Sequence, residues 1–395
     1  MIRTFNIIND CCLILLVFSI TFESWDPFQL VGTVSVTYIT TILYLASWVP
    51  LIGRNFHFGP LKKFVAPLLL FICVVLICSA LNSEHVTEIK YAFGYRTLLL
   101  IVFMTFIAAH LYSKPKILPI ALNSYIASML LVFLLVSMGN GVTYEHGRLR
   151  LFGENPNIMG AKAALAFLIA ISQLINKFSI KRLIVISAVC IPFVSIVATS
   201  GSRGAFVSMF LGLAVLLWFR KTSVLKKSAL LIFGVFGSAM LITYLLEANP
   251  IMAERLLATV EKGDTGRNVL WEGAFSAIKD NIIIGVGFEG VIPTMYKYSG
   301  IYLVPHNIFL YVFISTGLPG IILFMTFLVR LTKLLLVHFR KYGDSLNLVI
   351  FVIVIFNMSK QGGSIGKILF WFFFAVLIGS TVHILTRNEL EKIGE

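Results

Sequence analysis

Two arginines and a histidine lie at positions where charged or titratable side chains are unusual unless they have a function. Arg203 lies in a short turn, residues 199–205, between two long apolar runs, so it can only sit at a membrane edge. Arg267 lies at the start of a stretch with helical apolar spacing, and His306 opens another apolar run. A guanidinium group can bind phosphate oxygens through two parallel hydrogen bonds, and an imidazole accepts a proton near neutral pH. Together these residue types predict binding of an anionic group beside a proton acceptor.

Each of the three also has a structural explanation. Arg203 would be a snorkelling arginine that sets helix depth, although ionisable groups at such depth are functional by default. Arg267 would be a solvated loop charge paired with Asp264, although a helix N-terminus there favours anions. His306 would be a hydrogen-bonded histidine at the membrane interface. Both explanations stay open for each residue at this stage.

A second group of polar residues surrounds the start of the apolar run at 156–176: Arg148, Arg150, Glu154, Asn157 and Lys162. We regard these as candidates for substrate binding, with Lys162 extending a positive pocket about one turn inside the bilayer edge. Helix capping by Asn155, with Pro156 in the first turn, explains much of the pattern without any function. Snorkelling explains Lys162 equally well.

The sequence predicts no metal site and no cofactor. Residues 285–290 match GxGxxG, but the dinucleotide fingerprint needs a preceding strand and a βαβ unit. Here the segment follows a loop helix, so the match is chance or a glycine-rich turn. The five cysteines lie inside apolar runs, and no pair frames a loop. Walker, HExxH and CxxC motifs are absent from the sequence.

The composition makes lipid the solvent for most of this 395-residue chain. Hydrophobic residues make up 58% and charged residues only 13%, whereas a soluble domain carries about 25% charged residues. The net charge of +14 collects in short loops, where the preference for Lys and Arg on the cytoplasmic side explains it better than nucleic acid does. The partner predicted from composition is therefore a lipid bilayer and not nucleic acid.

Apolar runs that can cross ~30 Å of hydrocarbon position the candidate residues, and each needs about 20 residues. We predict twelve spans, at 6–24, 29–51, 64–82, 92–112, 117–138, 156–176, 181–199, 204–220, 226–246, 304–329, 346–360 and 365–386. The predicted fold class is an all-α polytopic membrane protein with about 12 transmembrane helices and one long outer loop that contains short helices.

The basic loops place both termini in the cytoplasm. The predicted division is residues 1–246 with nine spans, 247–303 as the long outer loop, and 304–395 with three spans and a cytoplasmic tail. Helical spacing within the loop predicts short helices at 250–262 and 265–281, the second capped by Thr265.

At this point the sequence resembles the superfamily of bacterial O-antigen ligases and O-antigen polymerases. His306-Asn307, nine residues and then 317–320 resemble its H-N-x9-G-x-x-G signature, and residues 202–205 and 266–271 resemble its two arginine motifs. Residues 154–157 resemble its F-x-N-P-N segment. The four motifs occur in the family's order over about residues 150–330.

The resemblance implies an inverting, metal-independent glycosyltransferase of the class C membrane fold in the bacterial inner membrane. The donor would be a glycan on undecaprenyl pyrophosphate at the periplasmic face, and the acceptor another glycan or lipid A–core sugar. Arg203 and Arg267 would hold the pyrophosphate, and His306 would orient or deprotonate the acceptor hydroxyl beside Asn307. A chain-length regulator protein is a further partner that the resemblance allows.

Three functions remain in view. The outer basic character favours a polymerase acting on two phosphorylated lipid substrates, and residues 247–303 form a short loop for a ligase. Ligation of polymer to lipid A–core is the alternative. A flippase for lipid-linked oligosaccharide ranks lower, because the suspect charges lie at one face and the sequence shows no internal repeat.

Overall fold

The computed structural model describes residues 2–28, 34–85, 94–145, 147–176, 179–219 and 267–393, together with residues 228, 243, 244, 247 and 254. The helices are α1 (Ile2–Ser19), α2 (Val36–Trp48), α3 (Ile52–Asn55), α4 (Lys62–Leu81), α5 (Tyr95–Ser113), α6 (Leu118–Ser137), α7 (Pro156–Asn176), α8 (Ile180–Thr199), α9 (Arg203–Trp218), α10 (Arg267–Asp280), α11 (Gly287–Ser299), α12 (Ile308–Tyr342), α13 (Leu346–Met358) and α14 (Ile368–Ile393). Short 3-10 turns lie at Ile20–Phe22, Val49–Leu51, Gly59–Leu61, Ser83–His85, Pro115–Ile117 and Gly362–Gly366.

The protein is an all-α polytopic membrane protein, as predicted. Within the described ranges, nine helices are long and apolar enough to cross a membrane, and α9 and α13 are shorter apolar helices. These eleven coincide with eleven of the predicted spans. The predicted span at 226–246 and the predicted loop helix at 250–262, like Thr265, lie outside the described residues.

Helix α12 differs most from its prediction. It was expected at 304–329, but it begins at Ile308 and ends at Tyr342, as two helical segments that meet at a kink at Gly317. At ~1.5 Å per residue, the segment after the kink, residues 318–342, by itself exceeds the ~30 Å of hydrocarbon. Arg330, Lys333 and Arg340, expected in an inter-helix turn, therefore lie on its last turns. Apolar residues at helical spacing lie between these basic residues and pack in the interior, as buried Leu331 and Leu334 do, so the helix continues past them.

Two further elements were missed from the sequence. Strands β1 (Val142–Glu145) and β2 (Arg148–Leu151) form an antiparallel hairpin inside the predicted medium loop. Helix α11 begins at Gly287, within the segment predicted as a chance match or a glycine-rich turn. The preceding residues 281–286 form a turn rather than a strand, which agrees with rejecting a dinucleotide fingerprint.

The chain divides into two compact units, each built from separate stretches of sequence. The first contains residues 1–54, 116–261 and 339–353. Helix α7 is its core, and all of residues 158–170 are buried. Small residues let the neighbouring helices approach closely. A Cβ on Gly212 of α9 would lie 2.3 Å from the side chain of Leu168 on α7, so a larger residue there would force Leu168 to move.

The second unit contains residues 55–115, 262–338 and 354–395. Its core is α14, in which residues 368–378 are all buried. Helix α5 packs along α14, and a Cβ on Gly379 would lie 2.6 Å from the carbonyl oxygen of Ala108. Helices α10 and α11 pack against each other through a separate apolar cluster that includes Leu270, Ala274 and Met295.

Candidate active-site residues

In the first unit, a tight turn between α8 and α9 positions Arg203. Gly201 adopts a left-handed conformation with φ of +55°, which lets the chain reverse. The Ser202 hydroxyl accepts a hydrogen bond from the Ala205 amide at 3.2 Å and so caps α9. Arg203 is the first residue of that helix and is half-buried. We call residues 199–203 the Arg203 turn.

Arg148 of strand β2 lies against the Arg203 turn. Its Nε donates to the Ser200 carbonyl at 2.9 Å, and its Nη2 donates to Asn157 Oδ1 at 2.7 Å. Its Cγ comes within 3.3 Å of the position that a Cβ on Gly201 would occupy. The fold therefore brings Arg148 and Asn157 together at the main chain of the Arg203 turn.

The start of α7 holds Asn157 in place. The Asn155 carbonyl accepts from the amides of Ile158 and Met159, and its side chain accepts from the Asn157 amide at 2.9 Å. The capping explanation of this segment is therefore confirmed. Gly160 lies one turn further, where a Cβ would approach Ser200 Oγ and Ala205 Cβ at 2.7 Å. Close packing of α7 on α9 thus fixes the Arg203 turn relative to Asn157.

Glu154 and Lys162 form a buried ion pair. Lys162 Nζ lies 2.6 Å from Glu154 Oε2 and also donates to the Thr21 carbonyl at 3.3 Å. The two side chains are 5% and 1% exposed. The other carboxylate oxygen of Glu154 accepts from the Asn155 amide at 3.1 Å. This pairing gives both residues a structural role in joining the helix start to the 3-10 turn that follows α1.

Arg150 lies on the same strand as Arg148 but pairs differently. It donates to Glu145 Oε2 at 3.1 Å across the hairpin and to the Gly153 carbonyl at 2.7 Å. Its Nε is buried with no hydrogen-bond partner among the described residues. These contacts stabilise the hairpin and the turn that leads into α7.

In the second unit, residues 304–307, which we call the His306 segment, lead into α12. His306 is half-buried and has a φ of +49°, a left-handed conformation that is uncommon outside glycine. Asn307 caps the helix, because its side chain accepts from the Phe309 amide at 2.9 Å. Because Asn307 directly follows His306, this cap also restrains the main chain at His306.

Arg267 approaches the His306 segment from the start of α10. Trp271, one turn into that helix, donates its indole Nε1–H to the Pro305 carbonyl at 3.1 Å. Burial lowers the pKa of His306 below its ordinary value, and the positive charge of Arg267 lowers that pKa further. Burial also lowers the pKa of Arg267, although the guanidinium stays charged. Both effects favour the neutral form of the imidazole.

A break in α12 supports this region from the other side. Gly317 has φ of +61° and ψ of −162°, which interrupts the helix. Backbone groups near the interruption form hydrogen bonds with the turn before α11. The Val286 amide donates to the Ile314 carbonyl and the Leu318 amide to the Ile282 carbonyl, each at 2.9 Å. Gly317 belongs to the H-N-x9-G-x-x-G motif and Trp271 to the second arginine motif, but the structural role of neither was predicted. The spacing of the glycines and the tryptophan within the arginine motif were the available signals.

The predicted residues thus fall into two groups. The first unit brings together Arg148, Asn157 and the Arg203 turn, with Glu154 and Lys162 paired nearby. The second unit brings together Arg267, His306 and Asn307, held by Trp271. No group of three or more His, Cys, Asp or Glu side chains that could hold a metal ion occurs in the described ranges.

The fold and these residues define a multi-pass helical membrane protein with arginines at the starts of α9 and α10 and a half-buried histidine just before α12. Residues 188–325 match the family model described as O-antigen ligase. The match covers about a third of the chain, which is similar to this family over that range, and the predicted resemblance to the O-antigen ligase and polymerase superfamily is confirmed. Arg203, Arg267 and His306 all lie within the matched range. Comparison with curated proteins gives no significant match.

Proposed function

We propose that the protein transfers a glycan from undecaprenyl pyrophosphate to a sugar hydroxyl at the periplasmic face of the bacterial inner membrane, and that it acts as a polymerase. The observation that carries this proposal is the hydrogen bond from Trp271 to the Pro305 carbonyl, which joins the helix that begins at Arg267 to the His306 segment. A half-buried imidazole near a guanidinium suits a proton acceptor next to a phosphate group.

The proposed reaction is a single displacement. The acceptor hydroxyl gives its proton to His306 as its oxygen bonds to the anomeric carbon of the donor. The bond between that carbon and the pyrophosphate oxygen breaks, and the electron pair leaves with the pyrophosphate. Attack opposite the leaving group inverts the anomeric configuration. A positioned base of this kind contributes typically 10²–10⁴-fold to the rate.

Arginine side chains supply the charge that the leaving group needs. Arg267 and Arg203 would bind the pyrophosphate oxygens and neutralise the charge that develops on them. Arg148 holds the Arg203 turn by donating to the Ser200 carbonyl at 2.9 Å, and it also donates to Asn157 Oδ1 at 2.7 Å. Because these arginines carry the charge neutralisation, we propose that no metal ion is needed, and a chelator is expected to leave the transfer rate unchanged.

Glycan gels of a deletion strain test the proposal. Complementation with the wild-type gene should restore a polymer ladder, whereas His306→Ala should leave only single-repeat lipopolysaccharide. His57→Ala, which changes an exposed histidine, is the matched control and should restore the ladder. A deletion strain with an unchanged ladder would contradict glycan transfer and return the flippase to consideration.

Ligation is the second candidate, because the matched family model is described as O-antigen ligase. The same gels distinguish it. A ligase deletion should abolish every attachment to lipid A–core while polymer accumulates on the lipid carrier. The roles proposed for His306 and Arg267 are the same in both reactions, since both use a sugar hydroxyl and a pyrophosphate leaving group.

A further inference from the structure

A concave site lies in the unit that contains His306. It is a cleft of about 450 Å³, within the ~300–1,000 Å³ typical of ligand pockets. None of the candidate catalytic or substrate-binding residues predicted from the sequence lines it. The side chains that give it its character are four aromatic and two charged groups: Tyr95, Phe288, Tyr302, Tyr311, Arg96 and Glu289.

The cleft is continuous with the His306 segment along the chain. Tyr302 precedes His306 by four residues and Tyr311 follows it by five. The Tyr311 amide donates to the Asn307 carbonyl at 2.9 Å, which places Tyr311 on the first turn after the helix cap. A molecule in the cleft would therefore contact the two stretches of chain on either side of the histidine.

The lining has the chemistry of a saccharide site. Tyr95 and Tyr302 are 41% and 67% exposed, so their rings are available to stack on the C–H face of a sugar. Arg96 Nε donates to the Gly366 carbonyl at 2.9 Å, which orients the guanidinium at the cleft wall. Sugar hydroxyls donate to carboxylates and accept from guanidinium groups, so Arg96 and Glu289 can both serve a neutral glycan.

Two other occupants fit the lining less well. A phosphate group would be attracted by Arg96 but repelled by the carboxylate of Glu289. Exposed tyrosines also occur as anchors at the membrane interface, where lipid headgroups cover them. An interfacial anchor needs no concave cleft with charged groups of both signs, so the lining favours the glycan.

We infer that this cleft binds the acceptor glycan and presents its hydroxyl toward His306. The inference rests on the proposed function, because it names the substrate segment that the transfer reaction uses. Tyr302 is the specificity-determining residue that the structure assigns, since it is the most exposed ring in the cleft and the ring nearest His306 in sequence.

The test uses the whole protein in lipid nanodiscs and a defined probe. The probe is the oligosaccharide released by mild acid from the lipid-linked glycan that accumulates in the deletion strain. Saturation-transfer NMR measures its binding to wild type, Tyr302→Ala and Tyr144→Ala. Tyr144 is 69% exposed on the hairpin of the other unit and does not line the cleft, which makes it the matched control.

We expect Tyr302→Ala to weaken probe binding and to raise the acceptor KM by roughly three- to tenfold, from the ~0.5–1.5 kcal/mol of one aromatic contact. The kcat at saturating acceptor and the donor KM should stay near wild type, as should every property of Tyr144→Ala. Equal probe binding by wild type and Tyr302→Ala would overturn the inference. So would a Tyr302→Ala effect confined to the protein's stability in the bilayer, which would indicate a membrane anchor.

His306→Ala separates this inference from the proposed function. It should still bind the probe while losing transfer. If His306→Ala retained transfer, the proposed role of the histidine would fail, yet loss of probe binding in Tyr302→Ala would still support the glycan cleft. If His306→Ala lost transfer and Tyr302→Ala bound the probe normally, the cleft assignment alone would fail.

Discussion

Trp271 donates its indole N–H to the carbonyl of Pro305, the residue immediately before His306. This contact joins the helix that begins at Arg267 to a histidine whose main chain is left-handed. A non-glycine residue in that conformation costs of the order of 1–3 kcal/mol unless its surroundings hold it. The tryptophan on one side and the Asn307 cap on the other are the two holding contacts.

Trp271→Phe should lower the transfer rate without unfolding the protein. The ring stays, but the hydrogen bond to Pro305 is lost, at a cost of about 1 kcal/mol, or roughly fivefold in rate if the whole loss appears in the transition state. The measurement is kcat with purified protein in nanodiscs. Trp218→Phe, which alters an indole that is 61% exposed, is the control. Equal rates for both variants would show that the contact does not position His306.

The pH profile should report the environment of His306. Because burial and the Arg267 charge both lower its pKa, the acid limb of kcat/KM should lie below pH 6.5, the ordinary value. Arg267→Gln removes one positive charge, so protonation of His306 becomes easier and the limb moves to higher pH. Burial is the larger cause and remains, so the limb should stay below 6.5.

Arg267→Lys is the control for that experiment, because it keeps the charge. Its rate is expected to fall, since an ammonium lacks the bidentate fork, but its acid limb should stay where the wild-type limb lies. A limb that moves equally in both variants, or in neither, would contradict the electrostatic coupling of Arg267 to His306.

Gly317→Ala should destabilise the protein strongly. A Cβ at this position would lie 2.5 Å from the Ile283 carbonyl oxygen, and the φ of +61° disfavours any side chain. We expect a loss of at least ~1–3 kcal/mol, measured as a lower Tm in detergent. Gly53→Ala, which meets nothing within 4 Å, should leave Tm nearly unchanged. A wild-type Tm for Gly317→Ala would mean that the break in α12 is not required.

The Lys162–Glu154 pair predicts non-additive stability. Lys162→Met leaves a buried carboxylate alone and Glu154→Leu leaves a buried ammonium alone, each costing about 3–5 kcal/mol. The double variant removes both charges and should be more stable than either single variant. Thermal unfolding of the four proteins gives the coupling. If the stability losses of the two single variants simply added in the double variant, Lys162 and Glu154 would not stabilise each other as an ion pair.

The sequence by itself determined the helices. In hydrocarbon every backbone polar group must be satisfied within the segment, so a long apolar run has to be a helix. Residues 156–176 are helical with the predicted bounds. The loop helix predicted at 265–281 lies at Arg267–Asp280, and there the signal was the helical spacing of apolar residues. Short elements outside the apolar runs lacked this constraint. The hairpin at residues 142–151 and the helix at Gly287–Ser299 were missed for that reason.

The partners of the charged residues were decided only by the tertiary structure. Arg148 reaches a carbonyl 52 residues away, and Lys162 pairs with Glu154 while contacting a carbonyl 141 residues away. A list of outer basic residues treats Arg203, Arg148 and Lys162 alike, because local sequence carries no record of such distant contacts. Folding buries Lys162 in an ion pair, lays Arg148 against the Arg203 turn and joins the Arg267 helix to the His306 segment. Burial and long-range hydrogen bonding set these differences, and both exist only once the helices have packed.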